Sequence, residues 1–217
     1  SSGRCWMFTS MNALRPDVRE LLGTDAFDFS HNYVYFWDML EKSNLFLENM
    51  ILTADKDMDD REVTHFFSSP VNDGGVWNLF YNIAEKYGVV PKQAMPESRH
   101  SENTRQMVSL LNERLRAGGY TIREMAARGF GEDRLRSEKK EILKDVYRVL
   151  ALCLGEPPAT FTFRYKNVAG DIVSMETTPP EFYKSIIKSD YSPENYIMVM
   201  NDPTREYYKV YEIKNYR

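Results

Sequence analysis

Ser1-Ser2-Gly3-Arg4-Cys5-Trp6-Met7-Phe8 opens the chain, and its cysteine decides the reading of everything after it. The spacing predicts a helix from about Gly3 to about Leu14, with Cys5 about one turn in. The first peptide N–H groups of a helix have no intrahelical partner, and the aligned peptide dipoles favour negative charge there. A thiolate at such a place is stabilised and becomes a ready nucleophile. Gly3 leaves room for another backbone to come close. The competing reading is a small buried cysteine inside a helix. Cys153, on the apolar face of a later helix, takes that reading.

Composition narrows what such a thiol could serve. The chain has 217 residues, enough for one large domain or one and a half ordinary ones. Hydrophobic residues at 42% and charged residues at 28% allow a buried core and argue against disorder. No apolar run approaches the roughly 18 residues that a membrane span needs. Lys plus Arg at 28 against Asp plus Glu at 32 gives a net charge of -4, which excludes a broad phosphate-binding surface as the main activity. Aromatics at 13% fall at core spacing on helix faces and not beside basic clusters, so no nucleic-acid partner is expected. Two cysteines are too few for a disulfide scaffold, and with three scattered histidines they make a poor metal set, so neither metal nor cofactor is expected. The acidic run 55–62 and the mixed run 134–144 read as solvated surface.

Residues 1–154 read as mainly helical. A second helix is predicted over Ser30–Leu52, with Tyr33, Phe36, Trp37, Leu40, Leu47, Met50 and Ile51 at helical spacing. A charged loop covers Asp55–Asp60. Asn72-Asp73-Gly74-Gly75 is a turn opening a helix through Val76, Trp77, Phe80, Ile83, Ala84 and Tyr87, ended by Gly88. Residues 89–101 read as loop. Helices are expected near Thr104–Arg116 and Ser137–Leu154, the latter stopped by Gly155 and Pro157-Pro158. Alternation then begins: a strand over Thr160–Lys166, a turn at Asn167–Gly170 and a returning strand over Asp171–Glu176. A short helix follows with Pro179 at its first position. Tyr196–Met200 and Tyr207–Ile213 read as further strands.

Ser-Gly-Arg-Cys-Trp-Met-Phe resembles the nucleophile segment of papain-like cysteine peptidases. It departs twice: Arg4 stands where a small residue is usual, and Ser2 where those peptidases carry a first cysteine. In secreted relatives that cysteine bridges to one in a Cys-Asn-Gly-Gly loop, and here Asn72 holds the matching position. Both halves of the bridge are missing together, which suits a reducing compartment. Five further stretches resemble the bleomycin hydrolase and bacterial aminopeptidase C branch of that family. They are Ser30 to Asp38 with Leu40-Glu41-Lys42, Asp73 to Trp77, Glu85 to Lys92, Asn103-Thr104-Arg105 and Cys153 to Pro158.

The resemblance implies an α+β, papain-like fold. Residues 1–158 would form its helical domain with the family insertion, and 159–217 the start of a truncated β-rich domain. It further implies Cys5 as nucleophile, substrate contacts at Trp6, Asp73, Gly74 and Gly75, a peptide substrate, a cytoplasmic location and a hexameric ring. Family members confine cleavage to the N-terminus with their own C-terminal tail.

Acyl transfer by a thiol needs a base, a residue to orient that base, and oxyanion donors. In simple papains the histidine lies about 130–150 residues after the cysteine. That window covers roughly Leu135 to Gly155 and holds no histidine. His31 reads as a helix-start or surface residue, His65 as a packing or partly exposed residue and His100 as a solvated one. In the resembling branch an insertion pushes the His and Asn beyond Arg217, and the oxyanion Gln lies before Ser1. The chain therefore reads as an N-terminal half that is inactive alone, with ends that say nothing of a leader. The alternative is a non-catalytic relative that binds peptides or partner chains. A redox thiol protein fits poorly, because no Cys-x-x-Cys is present.

Overall fold

The structure is a computed structural model that describes residues 3–186 and 201–211. Ser2 and the expected strand Tyr196–Met200 lie outside the described residues. Helix α1 (Cys5–Leu22) leads, followed by α2 (His31–Leu52), α3 (Arg61–Ser68), α4 (Trp77–Tyr87), α5 (Arg99–Glu102), α6 (Arg105–Ala127) and α7 (Glu132–Leu154). Strands β1 (Phe161–Lys166) and β2 (Ile172–Thr177) and helix α8 (Pro179–Ile186) complete the described elements. The α+β class expected from the sequence holds.

Helix α1 begins two residues later than expected and ends well beyond Leu14. It runs through Pro16, whose ring removes one helical hydrogen bond. Met7, Met11, Leu14, Val18 and Leu22 form one buried stripe across the proline, so packing outweighs that loss. Gly23, in the left-handed region at φ 62°, ends the helix.

Helix α2 lies at the centre of the core. The Ser30 hydroxyl caps it, accepting from the Tyr33 N–H at 3.0 Å. Tyr35, Phe36, Met39, Leu47 and Met50 are fully buried along its length. Helices α6 and α7 pack against it and against each other. Both are longer than expected, α6 because it continues through Gly118-Gly119. Those glycines mark close approach rather than a helix end: a Cβ on Gly118 would stand 2.9 Å from Ile142 of α7, and one on Gly119 3.1 Å from Phe46 and Phe67.

Two short helices were not expected. Asp60 starts α3 by accepting from the N–H groups of Glu62 and Val63. Ser98 and Ser101 form a reciprocal cap for α5 within the stretch read as loop, so His100 sits in a helix.

β1 and β2 pair antiparallel, with Phe161 opposite Thr177 and Lys166 opposite Ile172. Phe161 and Phe163 face inward and meet Phe182 of α8, at ring-centre distances of 5.4 and 5.7 Å. Phe27 joins them edge-on from the helical side, 5.9 Å from Phe163. One hydrophobic cluster thus runs from Trp6 to Ile186. Among the described residues the sheet stops at two strands. Residues 207–211 form a turn and irregular backbone instead of the expected strand over Tyr207–Ile213, whose last two residues lie outside the described ones. Tyr208 has φ 60°, which breaks an extended run, and Tyr207, Tyr208 and Val210 are exposed.

Candidate active site

Cys5 is the first residue of α1, at the helix start instead of about one turn in, and is exposed. Its place at the helix start adds free backbone N–H groups: the first hydrogen bonds of the helix come from Met7 and Phe8, both to the Arg4 carbonyl. Exposure and helix-start position together suit an attacking sulfur. The second thiol differs on both counts. Cys153 is half-buried in the last turn of α7, and burial pushes its pKa up.

Arg4, seen in the sequence only as a departure, proves to be an anchor. Its guanidinium is buried at 3% exposure and pairs with Glu97, Nη2 to Oε2 at 3.1 Å. It also lies over the rings of Phe8 and Tyr35, 5.1 and 5.2 Å from their centres. A small residue there could make none of these contacts.

The loop 72–75 is fastened to the start of α1 through Asp73. Its Oδ2 accepts from the Gly3 N–H at 3.1 Å and the Thr104 hydroxyl at 2.6 Å, and its Oδ1 from the Tyr35 hydroxyl at 2.6 Å. Its backbone carbonyl accepts from the Trp6 indole N–H at 2.9 Å. Burial alone would raise the Asp73 pKa. The hydrogen bonds from Thr104, Tyr35 and Gly3, with the charge of Lys42, outweigh burial and hold it below the usual carboxylate value. Gly3 is needed for this approach, since a Cβ there would meet the Asp73 Cβ at 2.9 Å.

Gly3 and Trp6 flank Arg4-Cys5, so Asp73 sets the loop beside Cys5. Trp6 is 8% exposed, and its ring packs under Gly75, where an added Cβ would come within 2.5 Å of it. Trp6 and Asp73, both expected among the substrate contacts, thus direct their polar groups into the protein and hold the loop. The glycines remain as the candidate contacts. Gly74 donates its N–H to the Asn72 side chain at 2.9 Å, and its carbonyl accepts from Lys42 at 2.6 Å.

Lys42 and Asp38 were missed, although the sequence carried a signal: two opposite charges one turn apart on an otherwise apolar helix face. Lys42 Nζ donates to Asp38 Oδ2 at 2.7 Å and to the carbonyls of Asn72 and Gly74 at 2.9 and 2.6 Å. Asp38 is 1% exposed, and burial pushes its pKa up to about 6 against the opposing pull of Lys42.

Among the described residues no histidine hydrogen-bonds the Cys5 thiol. His31 stacks edge-on against Phe8 at 4.5 Å and turns Nδ1 toward Glu97 at 3.7 Å. Burial lowers its pKa, with Glu97 and Asp28 opposing. His65 is exposed on α3 and His100 half-buried on α5. No group of three or more His, Cys, Asp or Glu among the described residues could hold a metal ion. No helix among them is long and apolar enough to cross a membrane. A cavity of about 610 Å³ lies at the far end of α1 and does not include Cys5. Its two arginines are engaged, Arg15 with Asp28 and Arg19 with the Phe27 carbonyl.

Residues 1–216 match the Peptidase C1-like family. Aminopeptidase C from Lactobacillus delbrueckii subsp. lactis is 40% identical over 216 residues, covering 98% of this chain and 48% of that protein. Bleomycin hydrolase from Homo sapiens is 35% identical over 219 residues, covering 99% of this chain and 48% of that protein. Among solved structures, pepw from Lactobacillus rhamnosis HN001 superposes with a TM-score of 0.83 at 38% identity, over 86% of this chain and 42% of that one. The chain thus spans about half the length of these relatives.

Proposed function

The chain belongs to the peptidase C1-like family, and from that premise we propose that it supplies the nucleophile half of a cysteine aminopeptidase. Cys5 Sγ attacks the carbonyl carbon of a peptide bond near a free N-terminus. The Cys5 backbone N–H donates to the resulting oxyanion. The thiol proton passes through a base to the departing amine, the C–N bond breaks and a thioester forms. Water then adds to the thioester carbonyl and the thiol is restored. The base and its orienting residue come from the part of the protein that matches the relatives' other half. Gly75, beside Cys5, offers its backbone to an extended peptide, and its missing side chain leaves room for the Trp6 ring beneath it.

The observation that carries this reading is the exposed Cys5 at a helix start with the loop 72–75 fastened beside it by Asp73. In the complete protein, Cys5→Ala should lower kcat/KM for an aminoacyl substrate by more than about a thousandfold, with folding unchanged. Cys153→Ala should leave it within twofold. Full activity in Cys5→Ala would overturn the reading.

Residues 1–158 act as the helical domain, and 159–217 begin a β-rich one that supplies the other wall of the cleft. The aminopeptidase C and bleomycin hydrolase resemblance supports a hexameric ring, to be tested by the solution mass of the complete protein. A cytoplasmic, reducing location is supported by the free Cys5 and Cys153 and by Asn72 at the position of a bridging cysteine.

A further inference from the structure

The orientation of one peptide plane, Gly74–Gly75, decides what the loop can offer a substrate. In a planar trans peptide the C=O and the following N–H point in opposite directions. The Gly74 carbonyl accepts from Lys42 Nζ at 2.6 Å, so the Gly75 N–H of the same plane is turned away from Lys42. Two neighbours bear on the loop, the Asn72 side chain on the Gly74 N–H and the Trp6 ring under Gly75, but neither bonds the C=O or N–H of that peptide. Both flanking residues are glycines, for which rotation of the intervening peptide costs little. Asp73 cannot do it, because its bonds to Gly3, Tyr35, Thr104 and Trp6 end one residue earlier.

Lys42 is built for the task. An ammonium has three N–H donors, and the Asn72 carbonyl, the Gly74 carbonyl and the Asp38 carboxylate take them at 2.9, 2.6 and 2.7 Å. Its charge sits 5.6 Å from the centre of the Trp6 ring, next in sequence to the nucleophile. Asp38 is one turn back on α2 and buried, so it fixes where the ammonium can go.

We propose that Lys42, held by Asp38, is a positioning residue that locks the Gly74–Gly75 peptide with its Gly75 N–H presented to an extended peptide substrate. This rests on the reading that Gly75 pairs with substrate backbone. Lys42 touches neither substrate nor sulfur, so its loss should weaken peptide binding and spare the thiol.

The test uses the complete protein with Lys42→Met, Lys42→Arg and the double variant Asp38→Asn/Lys42→Met. The double variant removes the buried carboxylate that Lys42→Met alone would leave unpaired. Two rates are read: hydrolysis of a peptide substrate as kcat and KM, and alkylation of Cys5 by iodoacetamide, which has no peptide backbone. The double variant should raise KM about tenfold with kcat and the alkylation rate within twofold. Lys42→Arg, which keeps a cationic donor, should recover most of the loss. An unchanged KM in the double variant overturns the proposal. Equal falls in alkylation and hydrolysis also overturn it, because the lysine would then serve the whole site. Wild-type hydrolysis that survives Cys5→Ala sinks the peptidase reading instead, so the two failures are distinguishable.

Discussion

At the scale of single residues, Asp73 ties more separate parts of the chain together near Cys5 than its neighbours in the loop do. It satisfies three donors from separate parts of the chain, Gly3, Tyr35 and Thr104. Asp73→Ala leaves all three without their partner and should cost about 2–3 kcal/mol in urea denaturation. The effect should depend on pH. The folded pKa lies below the unfolded value, so the stabilisation is complete above the unfolded value and is lost as pH falls through the folded one. The gap between wild type and Asp73→Ala should thus be widest near pH 7 and close below about pH 4. An equal gap at all pH values would show that the charge is irrelevant. The sequence made Cys5 and the loop 72–75 visible as motifs. It did not show that the Trp6 and Asp73 side chains face inward, because orientation depends on partners such as Tyr35 and Thr104 that are 38 and 31 residues from Asp73. Arg4 was equally opaque: its partner Glu97 is 93 residues away.

At the scale of elements, periodicity located α2, α4 and β1 well, because each has a clear apolar face, and Pro179 marked the start of α8. The expected ends near Leu14 and Arg116 fell short, just before Pro16 in α1 and Gly118-Gly119 in α6. In both helices a local rule was overridden by contacts that form only on packing. Gly118 is the clearest case, since its missing side chain lets α6 approach Ile142 of α7. Gly118→Val should force the helices apart and destabilise by about 2 kcal/mol. Gly118→Ala should destabilise by less than Gly118→Val, because a gain of about 1 kcal/mol in helix propensity offsets part of the cost of a Cβ standing 2.9 Å from Ile142 Cγ2. Thermal or urea denaturation of both variants checks the pair, and equal stability of Gly118→Val and wild type would contradict the packing account. Helix α3 was missed for a different reason: it has eight residues and only Val63 fully buried, too few for a pattern.

At the scale of the whole molecule, a helical body carries the sulfur and the glycine loop on one continuous core that also takes in the β1–β2 hairpin and α8. The family was legible in motifs spread along the chain, and the match over residues 1–216 agrees with them. A base and its orienting residue were not legible here, and the chain spans about half the length of these relatives. What the chain itself must provide is one accessible thiol at a helix start and one that is not. Iodoacetamide at mildly acidic pH, followed by peptide mapping, compares the two under identical conditions. The exposed Cys5 should be alkylated at least about ten times faster than Cys153, which is half-buried with its pKa pushed up. Equal, slow labelling of both cysteines would contradict the assignment of Cys5 as the nucleophile.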